Sequence, residues 1–234
     1  IRLENGRFYA YGTPWNGKHR LSTRTSAEIA GICFGELFSP SEIQYIIVNK
    51  GKTGQLLEMA LGLHLSSTNL DFDDGELKTN KCDSHGRPLE TVFITQISGI
   101  IDELINEVPF ERTHLCEKIS NILYVPVCKE GAPETWMFLP SIHVNTYERQ
   151  FSSLMAIWKE DYYSICGQLR DHIEHSPDGF IHTSNGTHLQ IRSKDAQPYH
   201  AIYSDTYGRC VSNKNHAFYF QKEFVHEIHR LAGY

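Results

Sequence analysis

Apolar positions along this chain fall into two spacings, one near the helical repeat and one alternating, and the spacing switches repeatedly. Helical spacing predicts helices over residues 26–38, with Ser26 as cap, and over 40–48 behind Ser39-Pro40-Ser41. It predicts a third over 54–63, where Leu56, Leu57, Ala60 and Leu61 share an apolar face. Glu58 lies beside that face, which is costly unless the carboxylate meets a cation or a hydrogen-bond partner. Residues 71–78 read as a hairpin, with Gly75 turning into a strand. Strands are expected over 91–97, 122–127 and 135–144, and shorter ones over 180–182, 188–192 and 217–220. Helical spacing returns over 100–108, 113–119, 148–172 (the longest) and 222–231. Strands and helices mixed in this way predict an α/β fold with a central mixed β-sheet flanked by helices.

Composition narrows the class. The 234 residues suffice for one substantial domain or two small lobes, and 40% hydrophobic with 21% charged residues is ordinary for a globular protein. No apolar run approaches the length of a membrane span, and no signal-type segment opens the chain, so a cytoplasmic protein with no membrane partner is expected. The chain begins at Ile1, which fits a piece of a longer protein or a trimmed chain. A net charge of −6 argues against nonspecific coating of nucleic acid, but leaves room for a DNA enzyme whose basic residues line one surface. Six cysteines, scattered and without Cys-x-x-Cys, predict reduced thiols rather than a disulfide framework or a zinc site. His172 and His175 are helix-spaced but lack a third ligand nearby, and read as surface histidines.

The chemistry concentrates in Asn69-Leu-Asp-Phe-Asp-Asp-Gly-Glu-Leu-Lys78 and in Glu58 upstream. On a strand, Glu76 and Lys78 share a face while Leu77 points into the core. Carboxylates of this kind can hold a hard divalent cation, and a lysine beside them can orient or deprotonate water or neutralise charge on a phosphate. The spacing alone fits a solvated hairpin edge equally well. Gly12-Thr-Pro-Trp-Asn-Gly-Lys-His19 imitates a phosphate-binding loop but ends in His19 where a magnesium-binding hydroxyl is needed, so it reads as a turn-rich surface segment.

Several blocks together carry a more specific signal: Lys50-Gly-Lys-Thr-Gly-Gln-Leu-Leu-Glu-Met-Ala-Leu-Gly62, Asp71-Phe72, Glu76-Leu-Lys-Thr79, Gly86-Arg-Pro-Leu-Glu-Thr-Val-Phe93, His188-Leu-Gln-Ile-Arg-Ser-Lys194 and Phe218-Tyr-Phe-Gln-Lys-Glu-Phe224. In this order and spacing the chain resembles the MutH family of DNA mismatch-repair endonucleases and its restriction-enzyme relatives that cut GATC. The resemblance implies a restriction-endonuclease-like fold with two lobes around a DNA cleft. It places a MutH-like endonuclease domain over 37–234 and leaves 1–36 as a divergent segment. It implies catalytic roles for Glu58, Asp71, Glu76 and Lys78. It also implies a Mg2+ ion, with Mn2+ as the alternative, held by Asp71, Glu76, Glu58 and the Leu77 carbonyl. Lys50, Lys118, Arg192, Lys194, Tyr219 and Lys222 match DNA-binding positions. Tyr219 falls where mismatch-repair members sense adenine methylation. The implied partners are double-stranded DNA containing GATC and, for a mismatch-repair member, a MutL-type activator.

Two departures stand out. The family usually has two more residues between the aspartate and the glutamate, so Asp73 or Asp74 can compete as the ligand; a two-residue loss preserves strand facing, which keeps Asp71 in place. Ser193 follows Arg192 where mismatch-repair members often carry proline, and 203–215 looks more like the restriction branch. The reading that competes in class is a noncatalytic MutH-like DNA-binding module of a larger restriction enzyme. The retained carboxylates and Lys78 argue against it.

Overall fold

Local capping decides where the first helices begin. The computed structural model describes residues 2–4, 7–9, 25–48, 53–61, 70–72, 74–194 and 198–233. The Thr25 hydroxyl accepts from the Glu28 N–H while the Glu28 carboxylate accepts from the Thr25 N–H, a reciprocal box that opens helix Ser26–Ile29. The cap is therefore Thr25 rather than Ser26, whose hydroxyl instead meets Ser141 at 2.8 Å. The single helix expected over 26–38 is broken in two. Ala30 is extended, Gly31 takes a φ of 76°, and Phe34–Leu37 forms a separate helix. The break frees Ala30 and Cys33 to bridge to Phe138 and Met137. Ser39 and Glu42 cap helix Pro40–Val48, as expected. The helix carrying Glu58 is Thr53–Ala60; the end expected at residue 63, the Lys50 position and the 12–19 segment lie outside the described residues.

The chain divides into two compact units, Ile1–Glu90 with Asn121–Val144, and Thr91–Ser120 with Asn145–Tyr234. In the first unit, strands Glu76–Lys78, Asn121–Tyr124 and Ile142–Asn145 lie side by side in that order. Glu76–Lys78 is not half of a hairpin, because it runs parallel to Asn121–Tyr124. Beyond it, Lys81–Cys82, Val127–Cys128 and Met137–Phe138 form a second small sheet. Pro126 has no N–H and divides the strand expected over 122–127, yet Val125 and Val127 still donate to the Lys78 and Asn80 carbonyls across the break. The strand expected over 135–144 is likewise two strands, Met137–Phe138 and Ile142–Asn145, separated around Pro140. Ile29, Phe34, Leu56, Leu57, Leu77, Leu123 and Phe138 make one core. Each such side chain contributes about 1.5–3 kcal/mol on burial. Ile29 and Phe34 belong to residues 1–36, so part of that stretch is built into this core.

The second unit centres on an antiparallel sheet in the order Ser184–Asn185, Leu189–Ser193, His216–Phe220, Val92–Gln96. Helix Ser153–His175 buries Leu154, Trp158, Tyr162, Ile165 and Leu169, and Trp158 meets Phe220 and Phe224. That helix starts and ends later than the expected 148–172. Residues 180–182 are not a strand; Ile181 donates one backbone bond to Val211, and the chain becomes a strand only at Ser184. The hairpin Ile202–Ser204 with Arg209–Ser212 was not expected. Asp102 holds its loop, accepting from the Ser204 hydroxyl at 2.6 Å and the Asp205 N–H at 2.9 Å. Ile101–Ile105, His114–Ile119 and Lys222–Ala232 form where helical spacing placed them. Among the described residues no helix is long and apolar enough to cross a membrane, and the six cysteines carry no disulfide.

Candidate active site

Strand alternation builds the site in the first unit. Leu77 enters the core beside Leu56, Leu57 and Leu123, which turns Glu76 and Lys78 to the other face. Gly75 precedes their strand, and an added Cβ there would stand 2.8 Å from the Asn121 carbonyl, so only glycine fits unstrained. Asn121 fastens this turn: its side-chain amide donates to the Asp74 carbonyl at 2.7 Å, and its Oδ1 lies 2.8 Å from His143 Nε2.

The candidate residues come together. Lys78 Nζ stands 2.7 Å from Glu76 Oε1, with Glu76 3% and Lys78 9% exposed. Burial of that order rules out the solvated hairpin edge. Glu76 Oε2 accepts from the Asp71 N–H at 3.3 Å, and Asp71 Oδ2 accepts from the Leu77 N–H at 2.9 Å. Glu58 faces the same group from helix Thr53–Ala60. Its burial, then the Asp71 carboxylate, push its carboxyl up to about 7, with Lys78 pulling down and Glu76 pushing up. Of the competing aspartates, Asp74 is held at its carbonyl by Asn121, and Asp73 lies outside the described residues.

The donor set is all oxygen from carboxylates, which suits a hard cation such as Mg2+ or Mn2+. Three carboxylates against one ammonium leave an excess of negative charge, felt at Glu58, that a cation relieves. Among the described residues no three His, Cys, Asp or Glu side chains already stand as a ligand set. Lys78 engages Glu76, and the Leu77 N–H donates to Asp71. Lys78 thus acts as the internal counter-ion of the cluster.

The remaining candidates among the described residues belong to the second unit. Arg192, exposed on strand Leu189–Ser193, lays its guanidinium 4.3 Å from the centre of the Tyr219 ring. Tyr219 meets Phe93 edge-on at 5.7 Å, and Lys194 Nζ lies 4.7 Å from the Phe93 ring centre. Cation, ring, ring and cation therefore form one continuous face. Phe93 joins this face without having been among the sequence candidates. Its signal is an aromatic ring 39% exposed between buried Val92 and Ile94, an apolar side chain on the polar face of a strand. Lys222 is exposed at the first position of helix Lys222–Ala232, where the helix dipole disfavours a cation. Lys118 is half-buried on helix His114–Ile119.

Comparison with known proteins decides the family. The family model described as DNA mismatch repair enzyme MutH matches residues 64–137. The DNA mismatch repair protein MutH of Klebsiella pneumoniae is 30% identical over 220 residues, covering 85% of this chain and 85% of its own length. That of Haemophilus influenzae is 30% identical over 213 residues, covering 86% and 89%. That of Yersinia enterocolitica is 29% identical over 237 residues, covering 91% and 92%. This chain belongs to the MutH family. The MutH model takes in Asp71, Glu76, Leu77, Lys78, Phe93 and Lys118. Glu58, Arg192, Lys194, Tyr219 and Lys222 fall outside the matched 64–137, although the MutH relatives align over most of the chain.

Proposed function

We propose that this chain is a divalent-cation-dependent endonuclease that hydrolyses a DNA phosphodiester at GATC sites in the cytoplasm. Family membership supports the coarser part, a DNA endonuclease. The observation that carries the rest is the buried Glu76–Lys78 pair tied to Asp71, with Glu58 within electrostatic reach. Asp71, Glu76, the Leu77 carbonyl and Glu58 would hold Mg2+, or Mn2+ in its place. When bound, the cation polarises the phosphoryl oxygen and stabilises the leaving oxygen.

The chain's own residues do the remainder. Lys78, now paired with Glu76 at 2.7 Å, would orient the attacking water through its ammonium once Glu76 served the cation. Arg192, Lys194, Lys222, Lys118 and Lys50 contact phosphates and set register, a role that carries no sequence information by itself. Tyr219 and Phe93 present ring surface between the two cations, and Tyr219 is placed to respond to adenine methylation. Base identity is read in the major groove, where each pair offers a distinct pattern. Catalysis is assigned to residues 37–234, and no catalytic residue is assigned within 1–36. A MutL-type activator is the expected partner if the enzyme nicks one strand; a restriction enzyme cuts both strands unaided.

Unmethylated, hemimethylated and fully methylated GATC duplexes, beside a GATC-free duplex, test this reading in Mg2+ with and without a MutL-type protein. Cleavage confined to GATC supports it. DNA that is shifted in a gel yet left whole under every condition identifies a noncatalytic binding module instead.

A further inference from the structure

We propose that the first unit holds a phosphate-binding pocket centred on Lys129, beside the catalytic strand but separate from its carboxylates. A cavity of about 490 Å³ is lined by Thr53, Thr79, Lys81, Glu90, Lys129 and Trp136, with Asn80 and apolar residues completing the wall. Thr79 and Lys81 continue the chain directly from Lys78, and Thr53 opens the helix that carries Glu58.

Two groups on its wall have hydrogen-bonding capacity left over. The Thr79 hydroxyl is buried and has no hydrogen-bond partner, whereas buried polar atoms are nearly always paired. Lys129 Nζ donates to Thr53 Oγ1 at 2.7 Å and lies 5.2 Å from the Trp136 ring centre. An ammonium carries three donors, so this one contact leaves donors for a ligand. Burial disfavours the charge on Lys129, Glu90 favours it, and Lys81 opposes it. Glu90 is partly occupied, since its Oε1 accepts the Lys81 N–H at 2.9 Å. Two lysines against one carboxylate leave the pocket cationic. The first N–H groups of helix Thr53–Ala60 add positive potential at Thr53.

A ligand that answers all of these is a compact anion rich in acceptors. A divalent cation is repelled by the lysines, and a purely apolar ligand leaves Thr79 and Lys129 unsatisfied. A phosphate group accepts from the ammonium and the hydroxyl together. It has two sources, a backbone phosphate of bound DNA or the phosphate of a free nucleotide. Only the DNA source rests on the nuclease reading.

Inorganic phosphate and dAMP are titrated against wild type, Lys129→Met and Thr79→Val, read by Trp fluorescence and thermal shift. Binding is expected to weaken at least about tenfold in Lys129→Met, the loss of one charge-assisted hydrogen bond. Thr79→Val should also bind more weakly while its melting temperature stays level or rises, because its hydroxyl has no partner to lose within the protein. Salt dependence of GATC-duplex binding, with Ca2+ replacing Mg2+, separates the sources. A log–log slope shallower by about one in Lys129→Met assigns the pocket to DNA phosphate. An unchanged slope with dAMP binding lost assigns it to the free nucleotide. The proposal is overturned if neither probe binds wild type up to tens of millimolar and the slope is unchanged. It is equally overturned if both variants bind the probes like wild type. A nuclease that cuts normally in either case leaves the proposed activity intact.

Discussion

Lys78 carries two roles that mutation can separate. It is the ion-pair partner of buried Glu76, and in the proposed mechanism it is also the ammonium that would orient the attacking water. Lys78→Ala is expected to lower the cleavage rate by about two orders of magnitude while DNA binding is kept. Without added metal, the same change should destabilise the first unit by about 3–5 kcal/mol, because Glu76 loses its buried partner. Mg2+ should restore part of that loss, and denaturant melts with and without the ion measure it. A second residue-scale prediction concerns His188 and His216, both buried and both held below the ordinary value of 6.5, chiefly by burial. Each resists protonation when folded and accepts a proton more readily when unfolded, so protons favour the unfolded chain. Stability is therefore full above pH 6.5 and falls as pH drops toward the depressed folded values. His188→Phe, which keeps a ring against Phe224, should flatten the decline in melting temperature measured from pH 7.5 to 5.5. An unchanged slope contradicts it.

At the scale of elements, tight backbone approaches make the sharpest predictions. Gly75→Ala places a Cβ 2.8 Å from the Asn121 carbonyl and should cost about 1–3 kcal/mol, together with activity, because it disturbs the turn into the catalytic strand. In the second unit, Asp161 accepts from the Thr187, His188 and Leu189 N–H groups, and a Cβ on Gly186 would clash with its carboxylate. Gly186→Ala should lower the melting temperature by several degrees, which calorimetry would detect. Helices and strands with a long apolar period were legible in the sequence: Pro40–Val48, Val92–Gln96, His216–Phe220 and Lys222–Ala232 all form. The misses share a cause. Gly31, Pro126 and Pro140 break elements that continuous apolar patterning predicts whole. The hairpin Ile202–Ser204 with Arg209–Ser212 is short, with Tyr203, Arg209 and Cys210 exposed, so its pattern gave no apolar alternation to read. The parallel pairing of Glu76–Lys78 with Asn121–Tyr124 is a long-range event that local spacing does not encode.

Across the whole molecule, the chain leaves its first unit after Glu90, returns at Asn121 and leaves again after Val144. The mixed α/β class with helices flanking mixed sheets was legible, but a linear pattern does not reveal such interleaving, so the division of the strands into several small sheets was not. The carboxylates and lysine of the site were legible because they lie close together in sequence and follow strand alternation. Their convergence with Glu58 required the fold, and Phe93 required a view of which aromatic ring stays exposed. Single-turnover cleavage of an unmethylated GATC duplex tests the carboxylate and lysine site most directly, run in Mg2+ and in EDTA, for wild type and Lys78→Ala, with DNA retention measured on the same samples. The account predicts cleavage by wild type in Mg2+ alone, and bound but essentially uncut DNA for Lys78→Ala. Cleavage that persists in EDTA, or proceeds at the wild-type rate without Lys78, would contradict it.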